Sequence, residues 1–292
     1  NDTIHVSSKN QQLDIVLRDG VELNEVNIVT RKLGTMKLRS SVMNEDMISS
    51  AELSRAACCN LGESFVTNPS VDVSYSDAAT GAKQIKLLGL SGTYVQMLTE
   101  NIPNYRGAAA PYGLGYVPGP WMQSIQVSKG TSSVKNGYEA ITGQINVEFK
   151  KPQLPEADWV SANLFASTTN RYEANADATL KLSKRWSTSL LAHYENETKA
   201  HDGNDDGFVD IPQVEQYNVW NRWAYMGDHY VFQAGIKALS ETRTSGQANH
   251  GGTMHSGDLY KVGIDTERYE FFTKNAYIFN KEKNTNLALI LS

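Results

Sequence analysis

Residues 119–150 read GPWMQSIQVSKGTSSVKNGYEAITGQINVEFK, and this stretch governs how the rest of the chain is read. Ser124–Lys129 and Gln144–Lys150 alternate apolar and polar residues in the manner of strands. Between them stand Gly130, Gly137 and Gly143, with Thr131, Ser132 and Ser133. Glycine supplies positive φ and close backbone approach, so the spacing predicts strand, tight loops, strand.

Downstream, from Asp158, the pattern changes. Trp159–Ser167, Tyr172–Leu182, Ser187–Glu197, Gln216–Tyr225, Tyr230–Leu239, Tyr269–Phe279 and Asn286–Ser292 are seven candidate strands. In the second, Tyr172, Ala174, Ala176, Ala178, Leu180 and Leu182 share one face; Glu173, Asn175, Asp177, Thr179 and Lys181 share the other. A one-sided sheet in water alternates in the same way. The separators decide. Ser183–Trp186, Gly227-Asp228 and Asn280–Asn284 are short, whereas 198–215 and 240–268 are long, with Thr168–Arg171 a short exception on the long-loop side. Short turns at one rim and long loops at the other are the pattern of a membrane β-barrel. Trp159, Trp186, Trp223, Tyr225, Tyr230, Phe271 and Tyr277 suit aromatic girdles at the two interfaces.

Upstream, Asn44 and Ser49-Ser50 offer N-caps, and Ala51–Cys59 and Leu61–Val66 read as two short helices ended by Asn68-Pro69. Val71–Ser76 alternates as a strand, and Gln84–Leu90 and Tyr94–Leu98 read as a strand pair joined at Gly89–Gly92. Asn104–Pro120 is a Gly-, Pro-, Ala- and Tyr-rich loop with no periodicity. Loops of that length are functional or disordered. At the start, Gln12–Leu17 and Leu23–Val29 form short alternating runs around the Asp19-Gly20 hairpin signal.

Val-Ser-Lys-Gly, Ser-Val, Asn-Gly-Tyr and Gly-Gln-Ile-Asn within 119–150 resemble the closing segment of the plug domain of TonB-dependent outer-membrane receptors. The family usually carries an acidic residue where Gln126 stands and a small one where Lys135 stands, which marks a divergent branch. It also carries an Arg-Gly pair followed by an Asp-Gly-hydrophobic-Pro turn, where this chain has Leu88-Gly89 and Glu100-Asn101-Ile102-Pro103. The role of that Arg therefore does not carry over. Residues 14–31 resemble the end of the carboxypeptidase-regulatory-like domain that precedes many Bacteroidetes receptors. Glu25, Val26, Asn27, Ile28, Val29 and Thr30 are similar to a TonB box, a β-prone strip that can add to a partner's sheet edge; an ordinary edge strand reads the same way.

The resemblance implies a mainly β chain in three parts. Residues 1–31 are the end of the preceding domain, 32–152 an α+β plug, and 153–292 the first strands of an antiparallel transmembrane barrel. Barrels of plugged transporters use about twenty-two strands, so seven leave the sheet open, with unpaired edges that lipid does not tolerate. The lack of an initiator Met at Asn1 and the apolar run at Ser292 are likewise expected of a piece of a larger receptor. It also implies the outer-membrane lipid and the periplasmic energy transducer TonB as partners, with the N-terminal segment periplasmic. The implied cargo is a ferric siderophore, haem, cobalamin or another metal chelate. The 104–120 loop then faces incoming ligand, with Tyr105, Arg106, Tyr112 and Tyr116 as stacking faces and one fixed cation. Packing of the tyrosines between plug and barrel is the alternative.

One further constellation carries chemistry. His201–Asp210 reads HDGNDDGFVD, with Asp202, Asn204, Asp206, Phe208 and Asp210 at the alternate spacing of an EF-hand-type calcium loop and Gly207 at its turn. Gln213 replaces the usual closing Glu, and Glu215 lies two residues on. The competing reading is a solvated acidic loop. Gly251–His255 reads as a mobile surface loop, with reach to a metal or haem as the alternative, and His193 with Glu195 reads as solvated wall.

Other classes are excluded or disfavoured. A net charge of −5 without a basic run argues against nucleic acid. No P-loop, HExxH, Rossmann fingerprint or nucleophile–base pair points to an enzyme. Adjacent Cys58 and Cys59 lack CxxC spacing and read as small buried helix residues, with a metal or redox role as the alternative. A structural or adhesive barrel with a calcium-ordered loop remains the competing function.

Overall fold

A computed structural model describes residues 35–37, 44–56, 59–66, 68–77, 79–90, 92–132, 136–154, 157–248, 259–280 and 285–292. The chain divides at Lys32 into two units, Asn1–Lys32 and Leu33–Ser292, and the first lies outside the described residues. Residues 25–30, Cys58, Lys135 and Gly251–His255 also fall outside.

The first part of the second unit builds a small inner domain. Its elements are β1 (Thr35–Lys37), β2 (Asn44–Ser49), α1 (Ser50–Ala56), β3 (Val71–Asp77), β4 (Ala82–Leu87), β5 (Val95–Thr99), β6 (Ile102–Pro103), α2 (Ala110–Gly113), β7 (Met122–Lys129) and β8 (Gly143–Phe149). The sheet order is β1-β2-β7-β8-β5-β6, with β3-β4 as a separate hairpin. The two strands read from residues 119–150 pair antiparallel at its centre, Val127 opposite Ile145. Ile125, Val127, Ile145, Val147 and Phe149 pack with Ile48, Leu61, Phe65 and Trp121 in the core.

Three expectations need correction here. Gln84–Leu90 and Tyr94–Leu98 are not a pair: β4 pairs with β3, and β5 runs parallel to β8. The chain crosses from hairpin to main sheet between them, through one 3-10 turn at Gly92–Tyr94. The two helices are shorter than expected, Ser50–Ala56 and a 3-10 turn at Glu63–Phe65. Ser49 does cap the first, its Oγ accepting from Glu52 N. Residues 59–61 are instead drawn out against 117–119, with Leu61 N donating to Val117 O and Gly119 N to Cys59 O. That extended pairing removes the helix, so Cys59 is buried at a bend rather than on a helix.

The remainder of the unit is a seven-stranded antiparallel meander. Its strands are β9 (Val160–Ala166), β10 (Tyr172–Lys181), β11 (Trp186–Glu197), β12 (Gln213–Met226), β13 (Tyr230–Gly246), β14 (Lys261–Asn280) and β15 (Thr285–Leu291). All seven expected strands are present. β12, β13 and β14 run further than expected, which shortens the long connections to 198–212 and 247–260. The extensions are polar, and cross-strand pairs such as Thr242 with Asp265 carry the ladder past the apolar band.

The sheet is inside-out relative to a soluble protein. On β10, Glu173, Asn175, Asp177 and Thr179 are buried, while Tyr172 and Leu180 are exposed. β11 and β12 bury Ser187, Ser189, His193, Glu195, Gln216, Asn218 and Arg222, and expose Leu190, Tyr217, Val219 and Trp223. A polar face turned inward onto another domain, with an apolar face outside, suits lipid as the outer solvent. His193 and Glu195 are thus not solvated wall, because the inner domain covers them. Trp186, Tyr225 and Tyr230 cluster beside the short turns, ring centroids 5.1 and 6.1 Å apart. Arg185 and Asp228 pair across that rim at 2.9 Å.

Candidate functional site

The inner domain meets the wall through an aromatic centre and a polar surround. Trp220 on β12 meets Phe149 edge-on at 4.5 Å and lies 6.4 Å from Trp121 and 6.2 Å from Phe272. Gly235 makes that cluster possible, since a Cβ there would overlap the Phe272 ring and sit 2.6 Å from Trp220 Nε1.

Around it, wall side chains donate to the inner domain's backbone. Asn218 Nδ2 and Lys237 Nζ reach Tyr116 O at 3.0 and 3.2 Å. Arg222 Nη1 reaches Lys150 O at 2.7 Å, and Arg243 Nη1 reaches Thr80 O at 3.2 Å. Ion pairs add to this. Arg171, at the end of the first hairpin, faces Glu63 of the inner domain at 3.0 Å, Glu173 at 2.6 Å and Glu195 at 3.0 Å. Lys150 pairs with Asp177 at 2.7 Å.

The 104–120 segment is ordered rather than structureless. It contains a 3-10 turn at Gly107–Ala109, the single turn α2 and a 3-10 turn at Gly119–Trp121. Tyr105 and Tyr116 are 4% and 2% exposed. Tyr105 has φ 51° and accepts a hydrogen bond from Lys237 at 2.9 Å, and the Arg268 guanidinium lies 5.0 Å over its ring. Gly113 leaves room for that ring, because a Cβ there would come within 2.6 Å of it. Burial raises the Tyr105 phenol and pushes Tyr116 up to about 12, so both stay neutral, Tyr105 beside Lys237 and Tyr116 with its hydroxyl 3.3 Å from Thr266 Oγ1. In this structure the faces of Tyr105 and Tyr116 lie in the contact with the wall.

Arg106 is exposed but is bound by both oxygens of Glu139, Nε at 2.8 and 2.9 Å. Tyr112 is half-buried, with the Arg243 guanidinium 5.6 Å over its ring. Tyr112 and Arg243 border a cavity of about 90 Å³ on the long-loop side, with Tyr75, Lys83, Arg171 and Glu197.

In 202–210, the side-chain oxygens turn onto backbone amides. Asp202 Oδ2 accepts from Gly207 N at 2.8 Å, Asp206 Oδ1 from Phe208 N at 2.8 Å and Asp210 Oδ2 from Gly203 N at 2.6 Å. Asn204 Nδ2 donates to Asp206 Oδ2 at 3.0 Å, and Asp205 and Gly207 take φ 57° and 84°. The loop is stitched to the next one by Val209 N donating to Gly246 O and Ala248 N donating to Gly207 O. Among the described residues, no group of three or more His, Cys, Asp or Glu is arranged to hold a metal ion.

Sequence reasoning missed Arg171, Arg222 and Lys237. The strand alternation could have placed Arg222 and Lys237 on the inward face. Their partners in the inner domain could not be found that way, because they are backbone carbonyls and side chains more than seventy residues away in the chain.

The family model described as TonB-dependent Receptor Plug Domain matches residues 37–144. The Vitamin B12 transporter BtuB of Vibrio vulnificus (strain CMCP6) is 24% identical over 185 residues, covering 63% of this chain and 30% of that protein. The structure of the ferripyoverdine receptor of the outer membrane of Pseudomonas aeruginosa, bound to ferripyoverdine, overlays with a TM-score of 0.62 at 14% identity. That overlay covers 83% of this chain and 33% of that one. The alcaligin outer-membrane receptor FauA of Bordetella pertussis overlays with a TM-score of 0.63 at 11% identity, covering 88% and 41%. The two overlays show the shared fold, and the chain spans about a third of the length of the relatives it matches. Residues 37–144 thus match the TonB-dependent receptor plug domain, and with the inside-out antiparallel sheet beside them the chain has the fold of the plug and first barrel strands of TonB-dependent outer-membrane receptors.

Proposed function

We propose that the full-length receptor takes up a scarce nutrient across the outer membrane by active transport, with a ferric siderophore, haem, cobalamin or another metal chelate as cargo. The observation that carries this reading is the plug itself. Around the aromatic centre at Trp220, it is seated against the polar face of the wall by hydrogen bonds and ion pairs. A polar contact of this kind can exchange its partners for water when the plug moves. The relatives' names include a Vitamin B12 transporter and a ferripyoverdine receptor, which supports the cargo class.

In this reading Arg106 and Tyr112 face ligand at the plug's outer end. Glu25, Val26, Asn27, Ile28, Val29 and Thr30 are the strip that pairs with TonB in the periplasm, following a domain of the Bacteroidetes type. Ile28→Pro removes a backbone donor from that strip. The expected result is unchanged ligand binding at the cell surface with uptake lost; normal uptake by this variant would remove residues 25–30 from the coupling role.

The orientation follows from the rims. Asn204→Cys is expected to react with an impermeant thiol reagent on intact cells, above the parent's background, and Asp228→Cys is not. The reverse pattern inverts the barrel.

Calcium at Asp202, Asn204, Asp206, Phe208 and Asp210 is a separate proposal, supported by the spacing and by the turn at Asp205 and Gly207, both at positive φ; the carboxylates that now accept from backbone amides would turn to the cation. Without the closing Glu, affinity is expected in the range of about 10⁻⁴–10⁻³ M typical of extracellular modules. Calorimetry on the full-length receptor should show one calcium event that Asp206→Ala removes. Equal uptake by both proteins means a loop held by its own backbone bonds alone. A structural or adhesive barrel with this loop as its ordered surface would bind calcium but accumulate no ligand.

A further inference from the structure

Among the described residues of the plug, Glu100 is the one charged side chain that is fully buried, at 2% exposure. It occupies an unusual backbone. Glu100 and Asn101 form the two-residue turn between β5 and β6, with φ 51° and 64°. Asn tolerates that left-handed region, whereas Glu gains nothing locally from it. The turn is fixed to β8 by Glu100 N donating to Val147 O at 2.9 Å and Asn101 N donating to Asn146 Oδ1 at 2.8 Å.

What the placement achieves is contact with two barrel cations. Arg222 on β12 meets Glu100 Oε1 through Nη2 at 2.5 Å, and the pair is 3% and 2% exposed. The other arm of the same guanidinium holds Lys150 O, at the point where the chain leaves the plug. Its plane lies 4.7 Å over the Trp220 ring, which fixes its direction. Lys274 on β14 donates to the Glu100 backbone carbonyl at 2.6 Å and stands 3.6 Å from Oε2. Glu100 Oε2 itself accepts no hydrogen bond. The anion belongs to the plug and both cations to the wall, so any displacement of this plug edge separates buried charges of opposite sign.

We propose that Arg222 and Lys274 clamp the Glu100 turn, and that this clamp keeps the plug in its lumen-closing position. Arg222 acts on two separate points of the plug, the β5–β6 turn and the exit at Lys150, so it fixes orientation as well as distance. Removing one partner leaves the other buried and uncompensated. The inference rests on the plug-and-barrel identification and not on the transport reading, since closure needs neither ligand nor TonB.

The test is ion conductance of the full-length receptor in planar bilayers, after heat-modifiable mobility has shown a folded barrel. Glu100→Gln, Glu100→Gly and Arg222→Gln are each expected to raise the frequency of large openings about 100-fold over the parent. Glu100→Gly separates charge from backbone, because glycine relaxes the positive φ while removing the carboxylate. The Glu100→Gln/Arg222→Gln double variant should open no more often than the worse single variant, as partners in one interaction do. If Arg222→Gln does not fold, the two Glu100 variants decide alone. Parent-like closure of the Glu100 variants overturns the proposal, and so does a double variant whose effects multiply. Either result leaves the uptake reading standing, because that reading is measured in cells with ligand.

Discussion

Replacing Gly143 by valine is expected to unseat the plug. Gly143 opens β8 opposite Lys129 of β7, at φ 157°. A Cβ at this position would overlap Ser128 O and Leu87 Cδ2. The first of these is backbone in the neighbouring strand, so it cannot swing aside. Relief requires opening the ladder at the centre of the plug sheet, beside Val95, which pairs with Gly143 from the other side. Overpacking a well-filled site costs about 1–3 kcal/mol, and a clash with backbone belongs at or above the top of that range. Gly130 is the matched control: it has φ 91°, but a methyl group added there meets nothing within 4 Å, so Gly130→Ala carries only backbone strain of about 1–2 kcal/mol. Limited proteolysis of the full-length receptor in a urea series checks both. Gly143→Val should expose the plug at clearly lower urea than the parent, and Gly130→Ala should fall between them. A Gly143→Val midpoint equal to the parent's would mean that the sheet does not close as described.

The second large effect is expected at Arg171. Its guanidinium is the cation shared by Glu63, Glu173 and Glu195, and it joins plug to barrel at the long-loop end. The side chain is 17% exposed, against 1% for Glu173 and 10% for Glu195. Arg171→Leu therefore strands buried carboxylates, and breaking a buried pair from one side costs about 3–5 kcal/mol. Equilibrium denaturation of the full-length receptor should show that loss. Adding Glu173→Gln and Glu195→Gln to Arg171→Leu should recover a large part of it, because the stranded charges are then gone. An Arg171→Leu variant as stable as the parent would show that solvent reaches these carboxylates and that the hub carries no stability.

These two sites show where sequence reading ends. The strand alternation of Tyr172–Leu182 was legible because side chains point to opposite faces every second residue. Which face is covered was not legible within that strand, since both a soluble sheet and a barrel wall alternate. The turn-and-loop asymmetry supplied the answer. Gly143 was legible as a strand-bounding glycine, but the reason for it, contact with Ser128 and Leu87, depends on pairing across the sheet. The pairing of Gln84–Leu90 with Tyr94–Leu98 was misread because adjacency in sequence usually means adjacency in a sheet, and the parallel β5–β8 pair breaks that habit. The tyrosines of 104–120 were legible as candidates only. Tyr105 lies against Lys237 and Arg268, more than a hundred residues away in the chain, and no local pattern encodes that contact. The 202–210 spacing is local, by contrast: Gly207 takes φ 84° at the turn, while the carboxylates accept from the loop's own amides, which the spacing alone did not tell.

Whether this plug-and-barrel fold serves energised uptake is tested most directly by accumulation in cells. The full-length receptor would be returned to cells lacking it, alongside a version deleted for residues 25–30, and both supplied with a labelled metal chelate that the intact receptor binds. The account predicts accumulation inside above the external concentration for the intact receptor, and surface binding without accumulation for the deletion. Equal internal levels in the two strains, or ligand held only at the surface in both, would contradict it.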